Sequence, residues 1–182
     1  MKYYLVALFD NESHEAMESI QKNVCRKYKL SKNTPILHIT LEAVEDPDFE
    51  KLYRVICDIL KPYKKFKIET TGVLCSEPPY KSVNLKIENK GYIIRLARTI
   101  NDTLRLHGFN VKENADNFNL HVSLGSTNYP NKEWSNKEYV AASLNTKSQT
   151  PYWLAKVDRI ELWKATNNKK DMLVKSFPLK DY

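Results

Sequence analysis

Cysteine is scarce in this chain of 182 residues: only Cys25, Cys57 and Cys75 occur. The number is odd and no C-x-x-C pair exists, which excludes a disulfide framework and a cysteine-built zinc site and points to a reducing compartment. Long apolar runs are missing too, and none approaches the ~18 residues of a membrane span. The opening MKYYLVALFDNESHE has one early lysine, a short apolar run, no small-residue cleavage site and acidic residues straight after. It reads as a buried first strand and not as a signal peptide. No low-complexity linker divides the chain, which excludes independent domains. The expectation is a single cytoplasmic, monomeric domain over 1–182, built as two lobes, with no membrane contact and no obligate protein partner.

What is present suits a folded core: 42% of residues are hydrophobic and 28% charged. The formal net charge is +7. A basic balance favours anionic partners such as nucleotides or RNA, and it serves solubility equally well.

Periodicity supplies the elements. Residues 2–9 read as a central strand, and 13–29 as a helix capped by Ser13. Residues 36–42 read as a strand. FEKLYRVICDIL puts Phe49, Leu52, Ile56 and Leu60 on one helical face, ended by Pro62. Residues 65–75 and 81–88 read as strands. In the second, Val83, Leu85 and Ile87 face one side and Ser82, Asn84, Lys86 and Glu88 the other. Residues 91–108 form the strongest helix, with Ile93, Leu96, Ile100 and Leu104 inward and Gly108 at its carboxyl end. A strand at 119–125, a short helix near 136–146 and a hairpin of 153–165 with 171–179 complete the order β-α-β-α-β-β-α-β-α-β-β. The run strand, helix, histidine strand occurs twice. This weak duplication predicts an α+β fold of two pseudo-two-fold lobes, each an antiparallel sheet with helices on its outer face.

The two histidine strands carry the chemistry. In 37-LHITL-41, His38 and Thr40 share one face, and Leu37, Ile39 and Leu41 the other. In 120-LHVSL-124, His121 and Ser123 share a face opposite Leu120, Val122 and Leu124. One such strand is weak evidence, since strands alternate anyway and favour threonine. Two, at matching places in a repeated element order, are strong. Two imidazoles across a cleft divide acid and base roles, one neutral ring taking a proton and one protonated ring giving it. The hydroxyls donate to phosphate oxygens. Two histidines without a third ligand at metal spacing make a poor metal site, so neither metal nor cofactor is expected. His14 and His107 read as structural or surface residues.

At these residues the chain resembles the 2H phosphoesterase superfamily, also called the LigT-like or 2′-5′ RNA ligase family, whose mark is a pair of H-x-T/S-x motifs. They are matched by His38-Ile39-Thr40-Leu41 and His121-Val122-Ser123-Leu124, 83 positions apart. KVDRIELWKA near the end is similar to the family's late strand. The resemblance implies a bilobal fold around a central cleft. It also implies metal-independent cleavage of 2′,3′-cyclic phosphate or 2′-5′ linkages of nucleotides or RNA ends. His38 and His121 would be the acid/base pair, and Thr40 and Ser123 the phosphate holders. Some relatives carry an arginine shortly before the first motif. SKNTPIL has none, which argues against the tRNA-processing ligase subtype.

Weaker candidates surround the pair. Tyr80 and Trp163 are placed to stack on a base or to pack as ordinary core or rim. Asn84 and Lys86 are placed to reach phosphate or sugar or to lie on a solvated face. The basic-aromatic run KPYKKFK (61–67) extends RNA contact or is solvated surface. Two rival functions remain: RNA 2′-5′ ligation, and non-catalytic binding of RNA or a nucleotide on the same scaffold.

Overall fold

KYYLVALF becomes β1 (Lys2–Phe9), whose two faces are buried on different sides of the sheet. Leu5, Ala7 and Phe9 enter the main core, while Val6 and Leu8 join a small cluster on the opposite face with Trp163. This division comes from a computed structural model that describes residues 1–27, 34–75, 82–112, 118–126 and 153–181. The other elements are α1 (Asn11–Lys27), β2 (Ile39–Glu45), α2 (Phe49–Leu60), β3 (Phe66–Cys75), β4 (Ser82–Ile87), α3 (Gly91–Leu106), β5 (His121–Ser126), β6 (Trp153–Lys164) and β7 (Leu173–Pro178). The helix expected near 136–146 falls outside the described residues.

The described strands form one antiparallel sheet in the order β1-β2-β5-β4-β3-β6-β7, and β1 also pairs with β6. The long β6 makes this possible. Its first part pairs with β3, and its later part pairs with β1 and with β7. The sheet therefore runs round from β1 through β5 and back to β1. Its thinnest join is β2–β5, where Ile39 opposite Val122 is the one paired position.

Helix faces are buried as their spacing predicts. Ile93, Leu96, Ile100 and Leu104 of α3 and Leu52 and Ile56 of α2 are almost completely buried. Gly108 closes α3 at φ +78, a conformation that costs glycine least. The Gly108 and Phe109 N–H groups bond back to the Arg105 and Leu104 carbonyls at 3.0 Å each. At α1 the expected cap is corrected. The helix starts at Asn11, and the Asp10 carboxylate accepts the Ser13 N–H at 2.9 Å. Asp10 is the first residue past β1, so its carboxylate already faces the free N–H groups. Ser13 is buried and ties the helix to the sheet, its Oγ accepting the Lys156 N–H at 2.9 Å.

The helices also brace the thin join. Gln21 on α1 is buried, and its Nε2 donates to the Pro35 carbonyl at 3.0 Å and the Leu124 carbonyl at 3.1 Å. One side chain thus holds the approach to β2 and the middle of β5. Asn101 on α3 does the matching work, its Nδ2 donating to Glu42 Oε2 on β2 at 2.7 Å and the Lys112 carbonyl at 2.9 Å. Replacing Gln21 by leucine removes both donors and leaves the Pro35 carbonyl without its bond. The expected loss is about 1–3 kcal/mol, read as a lower urea midpoint at unchanged m-value.

Candidate active site

His38 immediately precedes β2 and His121 opens β5. Their neighbours alternate as the sequence requires: Leu37, Ile39, Leu41, Leu120, Val122 and Leu124 are all buried in the core, while His38, His121 and Ser123 are half-buried and Thr40 is exposed. The single β2–β5 rung then decides how the two motifs meet. With Ile39 opposite Val122, antiparallel register carried one residue each way puts His38 across from Ser123 and Thr40 across from His121. By that count each histidine's backbone stands opposite the other motif's hydroxyl residue.

The rows continue sideways. On β4, Asn84 is opposite Ser123 and Lys86 opposite His121. On β1, Val6 is opposite Thr40, and Val6 is in turn opposite Glu161 of β6. Asn84 is buried, not solvated, and its Nδ2 donates to Ser82 Oγ at 3.0 Å. A register shift between Val83 and Asn84 accompanies this departure from alternation. Lys86 is exposed. Tyr80 lies outside the described residues.

Both rings are held alike. His38 Nδ1 lies 2.6 Å from the Ile36 carbonyl, and His121 Nδ1 lies 2.8 Å from the Asn119 carbonyl. A carbonyl only accepts, so Nδ1 carries the proton in each ring and Nε2 is left for chemistry. Burial pushes the His38 pKa below the usual histidine value. The Ile36 hydrogen bond opposes that shift, and the charge of His121 adds to it. At neutral pH His38 is therefore a neutral ring with a free Nε2 lone pair.

Trp163, offered either for base stacking or for packing, packs here against the histidine. It is 6% exposed, and its ring packs on His38 with centroids 4.6 Å apart. Its Nε1 donates to Glu161 Oε2 at 2.7 Å, and Glu161 Oε1 accepts from Arg159 Nε at 2.9 Å. Sequence reading missed Glu161 and Arg159. The available signal was R-x-E-x-W on one strand face, charge where a plain barrier strand needs none.

Beside His121 lies an opening of about 530 Å³. Thr40 and His121 line one part of it; Ala43, Asn110, Lys112 and Phe118 line others. It lies between β2 and the chain leading into β5.

An antiparallel α+β fold with two imidazoles and two hydroxyls on adjoining strands defines the class of protein. The family model of the 2′-5′ RNA ligase superfamily matches residues 9–169. The chain belongs to that superfamily. Among solved structures, TT0787 of Thermus thermophilus is similar at TM-score 0.66 and 17% identity, covering 100% of this chain and 99% of that one. Escherichia coli LigT complexed with 3′-AMP is similar at TM-score 0.62 and 13% identity, covering 98% and 97%. At such identities the likeness is one of fold. A comparison with curated proteins gives no match.

Proposed function

We propose that this protein is a metal-independent phosphodiesterase that opens 2′,3′-cyclic phosphates or cleaves 2′-5′ linkages of nucleotides or RNA ends. The observation that carries the reading is the rung of Ile39 and Val122, which brings the two motifs onto adjoining strands, with His38 and His121 close enough to feel each other's charge and both Nδ1 atoms engaged on backbone carbonyls. A phosphate between the strands meets two Nε2 atoms and two hydroxyl donors. His38, the ring that burial keeps neutral, is the base, and His121 is the acid.

The step balances simply. Water attacks phosphorus while His38 Nε2 takes its proton. The bond from phosphorus to one ribose oxygen breaks, and that oxygen takes a proton from His121 Nε2. The Thr40 and Ser123 hydroxyls donate to the non-bridging oxygens as charge builds on them. The opening beside Thr40 and His121 takes the rest of the nucleotide. That a fold relative, Escherichia coli LigT, is found complexed with 3′-AMP supports a nucleotide as the class of ligand. A ribose hydroxyl replacing water runs the same residues toward 2′-5′ ligation.

The test is a panel of 2′,3′-cyclic nucleotides and 2′-5′-linked dinucleotides with excess chelator, products identified by phosphorus NMR. The expected result is turnover to one phosphomonoester, unchanged by chelator. Ligated product instead of phosphomonoester makes the activity a ligase. Salt-sensitive binding with no turnover makes the protein a binder and overturns the enzymatic reading.

A further inference from the structure

Outside the two motifs, the feature with the most unexplained order is the polar chain behind His38. Trp163 lies against the imidazole, and Glu161 holds the indole N–H. Arg159 holds Glu161 and is itself fixed by Asp158 Oδ1 at 2.9 Å and the Phe9 carbonyl at 3.2 Å. Trp163, Glu161 and Arg159 alternate along β6 and share the face of Val6 and Leu8, away from the main core. A strand that only closed a sheet would gain as much from apolar residues there and would avoid the cost of holding ionised groups in place.

We propose that Trp163, anchored through Glu161 to Arg159, is a positioning residue that fixes the ring plane of His38 and shields it from water. The inference rests on His38 serving as the base. An imidazole tied at Nδ1 alone can still swing about that bond. The indole, with its centroid 4.6 Å from the imidazole's and its plane tilted 57° to it, blocks that swing on one side. The wall is only as rigid as its own anchor. An indole with a free N–H would tilt toward water, and the Glu161 carboxylate prevents it. Arg159 keeps that carboxylate in one rotamer through the bond to its second oxygen.

Among the described residues, few titratable groups stand near His38. From β5 comes His121, while Tyr4 of β1 packs on the cluster of Val6, Leu8 and Trp163. Glu161 and Arg159 stand one layer back on β6. Lys169, from the turn before β7, points its ammonium at the Thr34 carbonyl at 3.1 Å. Ile36 and Met172 pack with Trp163 in the same apolar cluster. Loss of the indole therefore admits water, and hydration raises the titration midpoint of His38 toward the ordinary value.

The experiment is an NMR titration of the His38 ring, with no substrate present, in wild type and in Trp163→Leu, Trp163→Phe and Glu161→Gln, alongside steady-state kinetics. Trp163→Leu is expected to raise the His38 midpoint by about half a unit or more and lower kcat about tenfold with KM nearly unchanged. The acid limb of the pH profile should move up with the midpoint. Trp163→Phe, which keeps a ring, should restore the midpoint and part of kcat. Glu161→Gln, which disturbs the anchor and spares the indole, should fall between. An unmoved midpoint and acid limb in both Trp163→Leu and Glu161→Gln overturns the proposal, even if Trp163→Leu proves less stable. The titration needs no turnover, so it stands apart from any failure of the phosphodiesterase reading.

Discussion

Replacing His38 or His121 by alanine is expected to lower kcat by about 10²–10⁴-fold, and replacing both should cost little more than replacing either. The two rings serve one transition state, in which proton removal from the nucleophile and proton delivery to the leaving oxygen are parts of one displacement. Once one ring is gone, the other has little left to assist. Folding should be spared, because both side chains leave the core while Leu37, Ile39, Leu120 and Val122 stay in it. The losses should differ in pH dependence. Wild-type activity should fall on the acid side as His38 takes up a proton, at a pH below the ordinary histidine value because burial disfavours the charged ring. His38→Ala should lose that limb, and His121→Ala should keep it. Rates from about pH 5 to 9 on one cyclic nucleotide check both statements.

The second large effect concerns the hydroxyls. Ser123→Ala and Thr40→Val each remove a donor aimed at the phosphate, and removal of a preorganised donor costs up to about 10²–10³-fold in kcat. The two should not be equal. Ser123 is half-buried, opposite the buried Asn84, while Thr40 is exposed. A donor screened from water acts at lower effective dielectric and is worth more. Ser123→Ala should therefore cost several times more than Thr40→Val. Equal, small losses in both would remove the hydroxyls from the mechanism. Ser123→Thr and Thr40→Ser, which keep the donor, should recover most of the rate.

Much of this is legible in the chain because it is local. Period-two alternation puts His38 with Thr40 and His121 with Ser123 without any partner strand, and period 3.6 finds the buried stripe of α3. What alternation cannot reveal is set by pairing between distant segments. The rung of Ile39 and Val122 joins positions 83 apart in the chain, and it brings the two histidine motifs onto adjoining strands. Register shifts hide more. One between Leu5 and Val6 makes Thr40 and Glu42 partners of adjacent β1 residues, Val6 and Leu5, so Glu42 turns to Asn101 on the helix side and not to the histidines. Another lies beside Asn84, which is buried where plain alternation leaves it wet. Trp163 stands out in the sequence for its size, but its task depends on Glu161 two residues earlier and on a histidine 125 positions away. Ser13 reads as a cap because sequence gives a hydroxyl's position and not its partner, the Lys156 N–H of β6.

The most direct test is the pH dependence of cyclic-phosphate hydrolysis in excess chelator, measured for wild type and His38→Ala together. Paired-histidine catalysis predicts a bell in the wild type, with an acid limb below the ordinary histidine value that disappears with the imidazole. A profile that is flat between about pH 5 and 8, or one that His38→Ala leaves unchanged in height and shape, contradicts it.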